Sequence, residues 1–185
     1  MMKHILLVVL FSLLAIPAQA DSISLQALAK DSRGKVLLIR HALAPGSGDP
    51  SNFRIGDCST QRNLSDEGRE QSRRIGKNLR KAGIKIAKVY SSQWCRCVDT
   101  AKLMNVGAVE TFEGLNSFYE MSDQEDVWIG KLKKLINSLD RNGDLVVMVT
   151  HFVTISAITG EGPSSGGGVV LSLKDRSVKS VSDLD

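Results

Sequence analysis

Two runs, Val36–Ile39 and Leu145–Val149, are apolar at every residue rather than at every second one. A strand with one wet face alternates apolar and polar side chains. A strand covered on both faces does not. Both runs are too short to be buried helices, which need ten residues or more. They predict strands at the centre of a sheet with helices on each side. This constrains the chain more than any other feature.

The segments between them supply those helices. Ser65 caps a helix that begins with Asp66 and Glu67, carboxylates suited to the positive end of a helix dipole. The helix is expected to run to about Ala82, with Gly83 as the glycine that ends it. Ile84–Tyr90 reads as a strand, Gln93–Met104 as a helix and Ala108–Phe112 as a weak strand. Ser122-Asp123-Gln124-Glu125 resembles a capping box and opens a helix to about Leu139. A short helix, Phe152–Thr159, follows the second apolar run. The Gly-rich Gly160–Gly168 then leads to a last strand, Val169–Leu173. Strands alternating with helices imply an α/β sandwich with a mostly parallel sheet.

The first 20 residues stand apart. Lys3 precedes an apolar run, Ile5–Ile16, and then Pro17-Ala18-Gln19-Ala20. A short basic start, an apolar core and a small-x-small ending describe a secretory signal peptide. The run falls short of the roughly 20 residues that span a bilayer. Cleavage after Ala20 is therefore expected, with a periplasmic or otherwise secreted mature chain and no stable membrane insertion. Asp21–Asp185 is one domain's worth of sequence. Removing Lys3 from 24 basic residues leaves 23 against 20 acidic ones, a net charge of +3. That excess is scattered. It suits anionic small molecules but makes no basic patch for nucleic acid, and aromatic residues are only 5% of the chain, too few for a base-stacking surface.

Export matters for Cys58, Cys95 and Cys97, because an oxidising compartment lets thiols pair. Cys95 and Cys97 would point to opposite sides of a helix. Cys58 is therefore expected to bridge to one or the other, leaving an odd thiol. The C-x-C spacing, with no second pair and no nearby His, does not suit zinc.

The mature chain has two histidines, His41 and His151, and each directly follows one of the two buried runs. In open α/β sheets, ligands collect beyond the carboxyl ends of the strands. Both imidazoles should therefore share one edge. Arg40 precedes His41, and Arg96 lies near a helix start after another strand, where anions are favoured. A guanidinium pairs with phosphate oxygens through two parallel hydrogen bonds. Two arginines and two histidines around one point make a phosphate pocket with a nucleophile: a neutral imidazole attacks phosphorus and forms a phosphohistidine. The long polar loop Ala44–Arg62 should line it, and Arg54 and Arg62 could hold a second anionic group.

Val36–His41, Leu64–Arg69, Ser91–Arg96 and Val149–His151 resemble, in order, the landmark segments of the histidine phosphatase (phosphoglycerate mutase-like) superfamily. The chain looks like its compact, capless branch, and the resemblance covers nearly all of Asp21–Asp185. It implies a three-layer α/β/α sandwich and a metal-independent phosphoric monoester hydrolase with no cofactor. It places the nucleophile on His41 and phosphate binding on Arg40, Arg96 and His151. The family often has Gly after Arg-His; here Ala42 stands there. The general acid should fall between Arg96 and His151. Glu120 is favoured over Glu113 and Asp123, because Leu115–Glu120 reads as a loop. Export and the resemblance together make envelope sugar phosphates, such as phosphorylated heptoses of lipopolysaccharide core, a candidate substrate. Two rival readings stand beside this one. One is a phosphate- or phosphosugar-binding protein of the same fold with little or no turnover. The other is a metal-dependent phosphoesterase using His41 and His151 as ligands.

Overall fold

A computed structural model describes residues 21–185. The expected signal peptide and its cleavage site lie outside the described residues.

The expected sheet forms around the two apolar runs. The strands are β1 (Ser22–Ile23), β2 (Lys35–Arg40), β3 (Ile86–Ser91), β4 (Val109–Thr111), β5 (Leu145–Thr150), β6 (Gly168–Ser172) and β7 (Val178–Val181). Their order across the sheet is β1-β7-β6-β2-β5-β3-β4. β2 and β5 are parallel neighbours at the centre, with Val36 opposite Val146 and Arg40 opposite Thr150. β3 and β4 continue the parallel half, while β6 runs antiparallel to both β2 and β7.

The continuous apolar runs follow from burial on both faces. Leu37, Ile39, Leu145, Val147 and Val149 pack with residues of α1 (Leu25–Lys30), α2 (Asp66–Lys81) and α3 (Cys95–Met104). Val36, Leu38, Val146 and Met148 face the other way. They pack with Leu132 and Ile136 of α4 (Glu125–Ser138) and Ile155 of α5 (Phe152–Thr159). This is the α/β/α sandwich.

Local signals behave largely as read. Ser65 Oγ accepts from the Gly68 amide, and Gly83 takes φ of +72° just past α2. Two glycines of α2 are there for space. A Cβ on Gly76 would stand 1.8 Å from the Met104 carbonyl oxygen of α3, and one on Gly68 would stand 2.1 Å from that of Leu43, two residues after His41. The helix can approach the site loop and α3 this closely only without side chains there.

One expectation is corrected. Ser122 does not cap a helix: Ser122–Gln124 is a separate 3-10 turn, and α4 starts at Glu125 with Gln124 at its N-cap and no side-chain cap. The short β1, α1 and β7 were not foreseen. β1 and β7 are too short or too polar to show a period, and they exist because they pair with each other at the sheet edge.

Candidate active site

β2 and β5 end side by side, so His41 and His151 leave the sheet together. Their rings meet edge to face with centroids 5.5 Å apart. Both are buried, each 3% exposed. Trp94 also packs edge to face with His151, 5.4 Å between centroids. A hollow of about 310 Å³ opens over the pair, and its wall carries Arg40, Arg62, Arg96 and Glu120.

The tautomer of His41 follows from its partner. Nδ1 lies 2.8 Å from the carbonyl oxygen of Ala42. A carbonyl only accepts, so Nδ1 carries the proton and Nε2 keeps its lone pair. Burial lowers the pKa of His41 to about 3; the bond to Ala42 resists this, and Arg96, Arg62 and Arg40 reinforce it. His151 is held well below its ordinary value by burial and then by His41 and the arginines. Both rings are neutral at working pH. Nε2 of His151 faces Ser92 Oγ at 2.9 Å and Cys97 Sγ at 3.4 Å. If the Ser92 hydroxyl donates to it, Nδ1–H remains for a ligand. Ser92 has a single hydroxyl hydrogen; given instead to Asn116 Oδ1 at 3.1 Å, it leaves Ser92 Oγ to accept from His151 Nε2–H.

The arginines are held from behind. Arg40 donates from Nη1 to the Pro163 carbonyl at 3.3 Å, and its guanidinium lies 5.6 Å over the Phe152 ring. Arg62 spans the loop, donating to the carbonyls of Gly48 and Ala44. Arg96, 3% exposed, is gripped end-on by Asp49: Nη1 donates to Oδ1 at 2.8 Å and Nη2 to Oδ2 at 3.1 Å. Asp49 also accepts from the Trp94 indole and the Arg62 amide, both at 3.0 Å. Burial pushes the Asp49 carboxyl up, but hydrogen bonds from Arg96 and Arg62 outweigh it and hold the pKa below its usual value. Asp49 is thus a fixed anion rather than a proton donor. The Nε atoms of Arg40 and Arg96 are buried with no partner. Two unpaired guanidinium donors beside a neutral imidazole are costly unless an anion meets them.

The structure therefore brings together Arg40, His41, Arg96, His151 and Glu120. Among the three acid candidates, Glu120 lines the hollow, its Oε2 accepting the Asp49 amide at 3.0 Å. Glu113 pairs with Lys131, and Asp123 is exposed and bonded to Gln124. Sequence reasoning missed Asp49, which reads as an ordinary Asp-Pro turn. It weighed Arg62 only for a second anion, yet Arg62 shares the wall with Arg40 and Arg96. Arg54 is exposed and does not line the hollow. Of the two disulfides left open, Cys58 bridges to Cys95, Cα atoms 5.7 Å apart, and Cys97 is the buried free thiol.

Residues 36–125 match the family pattern of the histidine phosphatase superfamily (branch 1). The match spans just under half of the chain. The matched stretch holds the Arg40-His41 pair, Arg96 and Glu120, while His151 comes from β5 beyond it. Solved structures of similar fold align over about four fifths of the chain. The protein histidine phosphatase SixA complexed with tungstate aligns at 16% identity and a TM-score of 0.55, covering 79% of this chain and 93% of that one. Phosphoglycerate mutase from Thermus thermophilus aligns at 16% identity and a TM-score of 0.56, covering 80% and 98%. A phosphoserine phosphatase from Entamoeba histolytica in complex with 3-phosphoglyceric acid aligns at 17% and 0.54, covering 80% and 95%. At such identities the likeness is one of fold. No curated protein matches the sequence. Ala42, where this superfamily often has Gly, is fully buried, and its amide donates to Thr100 Oγ1 at 3.0 Å, so the methyl group fits.

Proposed function

We propose that the protein is an exported phosphatase that hydrolyses small phosphomonoesters through a phosphohistidine on His41, without a metal. One observation carries the reading. The lone pair of His41 Nε2 stands on a neutral ring whose Nδ1–H is tied to Ala42, in a hollow walled by three guanidinium groups.

In the first step Nε2 of His41 forms a bond to phosphorus as the bond from phosphorus to the leaving oxygen breaks. Arg40, Arg62, Arg96 and a donor nitrogen of His151 meet the charge on the phosphoryl oxygens. Glu120, protonated, gives its proton to the leaving oxygen. In the second step water attacks phosphorus, Glu120 takes its proton, the N–P bond breaks and His41 returns with Nδ1–H still on Ala42. The phosphoryl charge is met by guanidinium groups, and among the described residues no three His, Cys, Asp or Glu side chains converge as a metal-binding group. Export rests on the sequence of residues 1–20. An envelope sugar phosphate fits that compartment and a hollow of this size.

A phosphoramidate survives alkali and is lost in acid. Rapid quench of labelled substrate at alkaline pH, with strong chelator present, should therefore trap label on the peptide holding His41. His41→Ala should abolish trapping and hydrolysis together, and His151→Ala should slow both while leaving label on His41. Label on His151, or activity lost to chelator and restored by a divalent ion, would falsify the mechanism. Tight phosphate binding with no burst would favour a binding protein of the same fold.

A further inference from the structure

The phosphoryl hollow does not end at its own rim. A second hollow of about 300 Å³ adjoins it, and Asp49, Ser117 and Glu120 line both. These three side chains form the partition. The rest of the second wall is Pro50, Ser51, Phe53, Trp94 and Met121. Phe53 stacks on Trp94 with ring centroids 4.8 Å apart and planes 22° from parallel. Charge is divided sharply between the two. Arg40, Arg62, Arg96 and both histidines line the first hollow, while no Lys, Arg or His lines the second. Of the two partition carboxylates, Asp49 is neutralised by Arg96. Glu120 is exposed and has a backbone amide as its partner, with no cation.

We infer that the second hollow is the leaving-group subsite and that it takes an uncharged or cationic alcohol with an apolar face, rejecting an anionic one. This rests on the phosphatase reading, in which the proton donor stands between phosphorus and the leaving oxygen. Glu120 is at that boundary because it lines both hollows. A carboxylate or second phosphate on the leaving group would lose water there with no guanidinium to meet it, whereas a cation can rest on the Phe53 face. A neutral alcohol loses nothing there and can lay its C–H face on Phe53. The sequence offered Arg54 and Arg62 as holders of a second anion. Arg54 lines neither hollow, and the Arg62 guanidinium is held by the carbonyls of Gly48 and Ala44 in the first.

Glycerol 3-phosphate and 3-phosphoglycerate test this directly, since they differ only in carrying a terminal hydroxymethyl or carboxylate. Phosphoethanolamine adds a cationic member. With the purified mature chain, kcat/KM for 3-phosphoglycerate should be at least about tenfold below the other two. Ser51 is exposed in the second wall, so Ser51→Arg should fold and bring the ratio within about threefold. Equal values for the matched pair, or a ratio unmoved by Ser51→Arg, would overturn the inference. Calorimetric binding of the same pair to His41→Ala reads the preference without turnover. If no ester is hydrolysed, the phosphatase reading fails while this measurement still decides the subsite: a tenfold preference upholds it and equal affinity sinks it.

Discussion

Arg96 shows how one side chain is prepared for an anion. Asp49 takes the terminal nitrogens and leaves the buried Nε unpaired, so the guanidinium is both fixed and incompletely satisfied. Removing one such donor of charge to a transition state typically costs 10²–10³-fold in rate, roughly. Arg96→Ala should lower kcat by about that factor. Arg73→Ala, on an exposed face and paired with Glu70, should leave kcat unchanged; equal effects would misplace the pocket. His41 makes a second prediction. Its folded pKa, about 3, lies below its ordinary 6.5. Below pH 6.5 the unfolded chain takes a proton that the folded pocket refuses, so stability is present above pH 6.5 and is lost as pH falls toward 3. Between pH 7.5 and 5 the loss is about 2 kcal/mol for this one ring. Tm should drop by about 4–8 °C over that interval, and His41→Gln should remove that share of the slope. An identical slope in the variant would show that the buried imidazole is not its source.

The loop from His41 to Ser65 behaves as an element although little of it is regular. Asp49, Arg62, Gln61 and Cys58 anchor it onto the start of α3, through the Arg96 pair, the Cys95 amide bonded to Gln61 Oε1, and the disulfide to Cys95. The bridge closes a separation of 37 residues and adjoins Arg96 in sequence. Natural disulfides of this kind typically contribute about 2–4 kcal/mol. Replacing both partners, Cys58→Ser with Cys95→Ser, should lower unfolding free energy by about that amount in urea titrations. It should also raise KM, because the loop wall that carries Arg62 loses one tether. Unchanged stability and KM would mean that Asp49 and Gln61 hold the loop unaided. Cys97 cannot substitute easily: burial raises its thiol pKa to about 12, so it stays protonated and unreactive.

At the scale of the molecule, the sheet converts two short apolar words in the sequence into one site. β2 and β5 lie parallel and in register, so the residues after both emerge at the same carboxyl edge. β6 lies on the other side of β2, and the segment that leads into it, Pro163–Gly167, bonds to Arg40 and His41 at that edge. The proposed export belongs to this scale as well. Mass spectrometry of the exported protein should find an N-terminus at Asp21, and an intact Met1 would remove the periplasmic proposal.

Sequence by itself determined the sandwich, because residues apolar at every position leave a strand no wet face. It also determined the pairing of His41 with His151, because parallel central strands end on one edge. Arg40 and Arg96 were legible for the same reason, each standing where a strand hands over to a loop or a helix. Tertiary structure alone decided the rest. Asp49 becomes the anchor of Arg96 only when a loop 47 residues upstream folds across α3, and no local pattern records such a contact. Glu120 is distinguished from Glu113 and Asp123 by which carboxylate faces the hollow, a matter of loop path rather than residue type. Cys58 reaches Cys95 rather than Cys97 because the first residue of α3 faces the loop, whereas Cys97 turns inward to the core beside His151. In each case the deciding quantity is the position of one chain segment against another.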